Sequence, residues 1–255
     1  MCELFGMSAN RSVTVQNALE EFRLRGGQTA DNPDGWGLAW WKSGTFHLAK
    51  EPAPAYQSAL FESLCDSTCA HLVIAHVRKA RFPPINTVDN THPFQRVCCG
   101  KAWVFAHNGL VPDVVDMERE NDKQVCYPTG ETDSEYAFCH LLSYIAQNFQ
   151  HSPSEGTAGW FPALAMASEL IALHGKFNFL MSDGEHLIAY GHDRLHYLEQ
   201  NGTNTPGVAP TNCAMIATES LHGNANWTAF EPGELRIYRF GKMVANYVAS
   251  PTLTT

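Results

Sequence analysis

The second residue of the chain is a cysteine, and that position gives it a chemistry an internal cysteine lacks. Removal of Met1, the usual processing ahead of a small residue, leaves Cys2 with a free α-amine. Such an amine has an ordinary pKa of about 7.7–8.0 and a thiol about 8.5, so nucleophile and proton acceptor share one residue near neutrality. The plain alternative is a cysteine in a frayed terminus, and Cys2 alone does not decide between them.

Three further features supply what attack on an amide needs. In His107-Asn108-Gly109 the Asn108 amide and the Gly109 N–H form a donor pair for an oxyanion, although Asn-Gly is equally a hairpin-turn signal. Arg78 closes the apolar run Leu72–Val77. It is either a solvated strand end or a bidentate clamp for a carboxylate. Asp133 lies in Thr132-Asp133-Ser134-Glu135, a capping-box pattern at a helix start, and alternatively receives an ammonium group. Together these residues compose a site that holds an amino-acid head at two points while a side-chain amide meets the thiol. His92 and Trp36 are second-rank candidates, expected to support the walls of such a site.

The elements that must position them are mostly short strands. Strand patterns cover Trp36–Trp41, Phe46–Lys50, His71–Arg78, Ala102–His107, Phe177–Ser182, His186–Gly191, Leu195–Glu199, Cys213–Thr218, Leu235–Phe240 and Met243–Val248. Turn residues at Ser182–Glu185 and Gly241-Lys242 join two of the pairs as hairpins. Helical spacing links Val15, Ala18, Leu19 and Phe22, ended by Gly26-Gly27. A stronger stripe runs through Phe138, Leu141, Leu142, Ile145 and Phe149, and a third helix is expected between Pro162 and Gly175. Pro112–Gly130 and Ser152–Gly159 read as loops. This order predicts α+β layers dominated by antiparallel sheet.

Bulk composition removes several functions. The 255 residues are 44% hydrophobic and 17% charged, ordinary for a folded soluble chain. A net charge of −9 with no basic run argues against a nucleic-acid partner. No apolar stretch reaches the roughly 18 residues of a membrane span, and Glu3 interrupts any signal-peptide pattern, so a cytoplasmic protein is expected. The eight cysteines are accordingly read as free thiols. Cys65, Cys69 and His71 make only a loose half of a zinc pattern, and Cys98-Cys99 is a bare vicinal pair. Neither a metal nor a cofactor is expected.

With these residues in view, the sequence resembles the class-II glutamine amidotransferases over one whole glutaminase domain, residues 2–255. Met1-Cys2-Glu3-Leu4-Phe5-Gly6 is similar to the family's opening. Arg25-Gly26-Gly27 with Asp34-Gly35-Trp36-Gly37 resembles its Arg-Gly and Asp-x-x-Gly segment, and Ala75-His76-Val77-Arg78 its glutamine-binding strand. Asn90-Thr91-His92-Pro93-Phe94, Ala106-His107-Asn108-Gly109, Gly130–Glu135 and Ala217-Thr218-Glu219 follow in family order. The nearest likeness is to stand-alone YafJ-like members and γ-glutamyl amide hydrolases.

The resemblance implies a four-layer αββα sandwich of the N-terminal-nucleophile hydrolase kind. It also implies Cys2 as nucleophile, Asn108 and Gly109 as oxyanion donors, Arg78 and Asp133 as substrate ligands, and no synthase domain. Three functions follow as expectations: hydrolysis of a glutamine or γ-glutamyl amide, supply of ammonia to a separate synthase, or non-catalytic binding of a glutamine-like ligand. Two departures stand out. Arg78 is followed by Lys79-Ala80-Arg81-Phe82-Pro83-Pro84 where the hexosamine-forming synthases have Trp-Ala-Thr-His, and Glu3 replaces the glycine after the nucleophile.

Overall fold

Two antiparallel sheets face each other across a dry apolar layer. The computed structural model describes residues 1–81, 84–149, 159–202, 211–221 and 226–248. The first sheet is built from β1 (Glu3–Thr14), β2 (Trp36–Lys42), β3 (Thr45–Glu51), β4 (Cys69–Val77), β9 (His196–Gln200), β10 (Cys213–Ala217) and β11 (Thr228–Ala229). Its strand order is β11-β9-β10-β1-β4-β2-β3. The second contains β5 (Phe94–Cys98), β6 (Lys101–Leu110), β7 (Lys176–Ser182), β8 (His186–Gly191), β12 (Glu234–Arg239) and β13 (Lys242–Val248), ordered β13-β12-β8-β7-β6-β5.

Side chains alternate across a strand, so each sheet feeds two layers of core. Leu4, Leu72, Ile74, Val104, Ala106, Leu180 and Ile216 fill the space between the sheets. On the outer face of the first sheet, Phe5, Trp36, Val73 and Val77 pack against α1 (Gln16–Leu24) and α2 (Ala59–Ser67). On the outer face of the second, Phe105, Phe177 and Phe179 meet α4 (Asp133–Asn148) and α5 (Phe161–Ala172). A short α3 (Val114–Arg119) lies against α4. The layers therefore run helix, sheet, sheet, helix, the expected αββα sandwich.

Every strand expected from the sequence is present, with ends moved by at most three residues. The differences are informative. β1 is absent from the expected strands because Gly6, Ser8 and Asn10 interrupt its apolar residues in the sequence. α2 is a nine-residue helix with only Phe61 and Cys65 buried, too little for a periodic stripe, although Ser58 caps it by accepting the Phe61 N–H. The expected loop Pro112–Gly130 contains α3, whose buried Val114 and Glu118 are masked by polar neighbours. The capping box at α4 is half-formed. Thr132 Oγ1 accepts the Glu135 N–H, but Glu135 does not return the bond and is used elsewhere. The expected loop Ser152–Gly159 lies outside the described residues except for Gly159, as do Phe82 and Pro83.

An aromatic layer lies beneath α4 in the outer core. Phe105 stacks on Phe138 with ring centres 5.1 Å apart and lies 5.4 Å from Phe179. All three are fully buried, so truncation leaves a void that neighbouring rings fill only in part. Phe105→Ala is expected to cost about 3–5 kcal/mol in urea unfolding. A loss below about 1 kcal/mol would show that α4 is not packed on the sheet in this way.

Candidate active site

The register of the central strands decides what meets Cys2. Glu3 pairs with Val77 and Leu4 with His76, so continuation of the ladder sets Cys2 beside Arg78. The Lys79 N–H donates to Cys2 Sγ at 3.2 Å, and Sγ lies 3.5 Å from the Lys79 carbonyl. Cys2 and Leu4 share one face of β1, and Leu4 points between the sheets. By the same parity Arg78 follows Ile74 and His76, Asn108 follows Ala106, Asn178 follows Leu180, and Thr218 follows Ile216. The inter-sheet layer, apolar through its middle, thus becomes polar at one end.

The terminus is held there by side chains from distant parts of the chain. The Leu4 N–H donates to Thr218 Oγ1 at 2.9 Å, and the Thr218 N–H donates to the Leu4 carbonyl at 3.0 Å. Asn108 Nδ2 lies 3.5 Å from the same Thr218 hydroxyl, and the Asn108 carbonyl accepts from Asn178 Nδ2 at 3.1 Å. Glu3, the departure from the family-like opening, forms a 2.9 Å ion pair with Arg25. Arg25 also donates to the Glu219 and Ser220 carbonyls at 3.0 and 2.7 Å. Glu3 therefore ties β1 to the end of α1 and to the segment after β10.

A cleft of about 350 Å³ opens over Cys2. Arg78, Lys79, Asn90, His92, Gly109 and Asp133 are among its walls. Arg78 is buried, and its Nη1 donates to the Ile85 carbonyl at 3.1 Å and to Asn86 Oδ1 at 2.9 Å. Among the described residues its Nε and Nη2 have no acceptor, which leaves part of the guanidinium fork for a carboxylate. Burial lowers the Arg78 pKa, against the raising influence of Cys2 and Asp34. Asp34 secures the segment after Arg78 by accepting the Ala80 N–H at 2.8 Å.

Asp133 opens α4. One carboxylate oxygen accepts the Val111 N–H at 2.8 Å and the other the Ser134 N–H at 2.9 Å. His107 is wedged behind it, with Nδ1 2.9 Å from Ser134 Oγ and Nε2 3.1 Å from the Lys176 carbonyl. Gly109 is required by contact rather than by a turn. A Cβ there would lie 1.8 Å from the Lys176 carbonyl oxygen. His107-Asn108-Gly109 is accordingly inside strand β6, and the hairpin reading of Asn-Gly does not apply.

Three histidines near the cysteine are buried and pushed toward neutrality. Burial drives His76 down to about 3, and Arg78 and His107 push the same way. Burial, followed by His76, takes His92 well below its ordinary value, and burial lowers His107 despite Asp133. The His76 and His92 rings lie 4.3 Å apart, and neither has a hydrogen-bond partner on its nitrogens among the described residues. The surroundings favour a neutral wall there.

Of the seven residues singled out in the sequence, Cys2, Arg78, Gly109, Asp133 and His92 line the cleft. Asn108 lies directly behind it between two lining neighbours, His107 and Gly109. Trp36 does not reach it. Its indole packs edge-on to Phe61 in the outer core and donates to Glu51 at 3.0 Å. The Lys79 N–H, Thr218 and Asn90 were not assigned roles from sequence, because a backbone donor and two uncharged side chains carry no chemical signature of their own. Cys65, Cys69 and His71 do not converge. Among the described residues the tightest group of possible metal ligands is Asp183, Glu185 and His186, where Lys101 Nζ already sits 2.7 Å from Asp183.

Comparison with known proteins identifies related chains. The family model for class-II glutamine amidotransferases matches residues 1–254. The Escherichia coli protein named "Putative glutamine amidotransferase YafJ" is 32% identical over 96% of this chain and all of its own length. A Methanocaldococcus jannaschii protein, MJ1515, is 35% identical over 96% of this chain and 71% of its own. Among solved structures, a protein described as a predicted glutamine amidotransferase from Pseudomonas aeruginosa superposes with a TM-score of 0.70 at 28% identity, covering 96% of this chain and all of that one.

The electrostatics of Cys2 make a pH prediction. Burial raises its thiol above the ordinary thiol value, while the Lys79 N–H and nearby positive charge pull it back only in part. In protein that retains Met1, alkylation of Cys2 by iodoacetamide should therefore be slow near neutrality. It should climb about tenfold per pH unit until above pH 9, because the thiolate is the nucleophile. Mass spectrometry of the Cys2 peptide reads this directly, and a plateau below pH 8 would contradict it.

Proposed function

The chain belongs to the class-II glutamine amidotransferases, and we propose that it is a single glutaminase domain, residues 2–255, hydrolysing a γ-glutamyl amide through a Cys2 thioester. The observation that carries this reading is the meeting of Cys2 Sγ, the Lys79 N–H, Arg78 and Asp133 around one cleft. A cation and an anion on its walls match the two charges of an amino-acid head, and the nucleophile lies beside the cation. A γ-glutamyl substrate is further supported by a Mycobacterium tuberculosis protein named gamma-glutamyl-hercynylcysteine sulfoxide hydrolase. It is 31% identical over 95 residues, 37% of this chain and 39% of that protein.

In this mechanism the Cys2 α-amine, freed by loss of Met1, takes the thiol proton. The thiolate sulfur bonds to the amide carbon, and the carbonyl electron pair moves to oxygen. Asn108 Nδ2 and the Gly109 N–H receive that oxyanion, and the Lys79 N–H steadies the sulfur before and after attack. The α-ammonium then protonates the departing nitrogen as the carbon–nitrogen bond breaks, leaving the thioester. Water, deprotonated by the same amine, adds to the thioester and expels the sulfur, which releases glutamate. Arg78 grips the α-carboxylate and Asp133 the α-ammonium, so that binding of the head positions the distant amide.

Asn108→Ala should lower kcat by about 10²–10³-fold, the usual effect of losing one oxyanion donor. Arg78→Ala should instead raise KM with kcat little changed, because it removes binding shared by ground and transition states. Exchange of these two effects would overturn the assignments. The direct test is intact-mass analysis of untagged protein before and after a glutamine-derived diazo-ketone. Loss of Met1 with one adduct on Cys2 is expected. Retained Met1 and no adduct would favour a ligand-binding protein. Robust turnover of a γ-glutamyl amide by the isolated chain separates a hydrolase from a subunit whose weak activity rises only with a synthase partner.

A further inference from the structure

Asn90 is a buried amide with one end tied and the other unused. Its Oδ1 accepts the Glu131 N–H at 2.9 Å, and its own N–H is bound to Thr87 Oγ1 at 3.2 Å. The bond from Glu131 fixes which way the amide points, since only the oxygen can accept there. Asn90 Nδ2 is therefore the atom left over. It has no acceptor among the described residues, yet Asn90 is only 4% exposed and lines the cleft over Cys2. Buried polar groups in folded proteins are almost always paired, so a donor left open in a cleft marks a place for an acceptor from outside.

The location says which acceptor. Asn90 follows the Ile85–Asn86 segment that contacts Arg78, and it supports the Glu131 backbone two residues before Asp133. The support is rigid. Glu135, diverted from its capping role, accepts the Thr129 and Gly130 N–H groups at 2.9 and 2.7 Å and is paired with Arg96. A side chain at Gly130 would meet Asn90 Oδ1 at 2.5 Å, so the strap lies directly on the amide. The open N–H thus shares the cleft with Arg78 and Asp133, the two groups proposed to hold the ends of an amino-acid head.

We propose that Asn90 is a specificity-determining residue whose Nδ2 donates to the substrate α-carboxylate beside Arg78. The proposal rests on the glutamyl reading of the cleft and adds a neutral, directional donor to it. Arg78 supplies charge, whereas Asn90 fixes the tilt of the carboxylate plane and so the direction in which the side-chain amide extends toward Cys2.

Asn90→Asp tests this, because it keeps the oxygen that accepts from Glu131 and replaces the donor by a negatively charged acceptor that repels a carboxylate. Calorimetric binding of the product L-glutamate and of 4-aminobutanoate, which lacks the α-carboxylate, is compared in wild type and variant. Glutamate affinity should fall tenfold or more, with 4-aminobutanoate unchanged or tighter, and KM for the turned-over glutamyl amide should rise in step. Equal glutamate binding by both proteins, or an equal loss for both ligands, overturns the role of Asn90. Failure of the wild-type protein to bind glutamate would instead sink the glutamyl reading, so the two failures are distinct. Asn90→Ala carries the same comparison if the aspartate variant does not fold.

Discussion

The site depends on holding a chain terminus still. Ends of polypeptides fray unless something ties them down, yet the proposed nucleophile here is the second residue. The solution is to make the terminus a central strand. β1 lies between β4 and β10, so its backbone is paired with β4 from Glu3 and with β10 from Phe5. The Glu3–Arg25 pair and the Leu4–Thr218 exchange extend that restraint to the residue immediately after the cysteine. Arg25 is itself mostly buried, so this ion pair is shielded from the solvent that weakens exposed pairs. Every other group in the cleft is placed relative to this anchored end.

The sandwich achieves the rest by changing residue type along one face. Inter-sheet positions are apolar in the middle of β1, β4, β6, β7 and β10 and turn to Cys2, Arg78, Asn108, Asn178 and Thr218 at one end. Burying so many polar groups is tolerable because they bind one another: Asn178 with Asn108, Asn108 with Thr218, Thr218 with Leu4. The exceptions among the described residues are His76 and His92, whose ring nitrogens lack partners, part of the Arg78 guanidinium, and Asn90, whose amide opens on the cleft. Neighbouring neutral histidines beside a buried guanidinium add no charge of their own.

Much of this was legible in the sequence, and the parts that were not share a cause. Strands such as Phe177–Ser182 announced themselves as short apolar runs bounded by turn residues, and the α4 stripe through period 3.6. β1 did not, because Gly6, Ser8 and Asn10 interrupt its apolar residues, although Cys2 itself was conspicuous by position. The residues that could ionise or attack, Cys2, Arg78 and Asp133, were found by type. Lys79 contributes through its backbone, and Thr218 and Asn90 through hydrogen bonds that only the register reveals. Trp36, suggested by its place in a family-like motif, supports the far side of β2, where Gly37 lets the sheet approach the His92 carbonyl. A Cβ at Gly37 would sit 2.0 Å from that oxygen. The helix-start pattern at Thr132–Glu135 was read correctly as a helix start and incorrectly as a closed box, because Glu135 is worth more to the strap before it than to the N-cap.

The bond between Leu4 and Thr218 also bears on the order of events in synthesis. Its two residues are 214 positions apart, so β1 cannot be fully paired until nearly the whole chain exists. Contacts of such long separation form late, after the cost of closing a large loop has been met. During translation β1 therefore emerges long before β10, and its clamp closes only when β10 arrives. The thiol proposed as nucleophile stays without its finished cleft until the chain is almost complete.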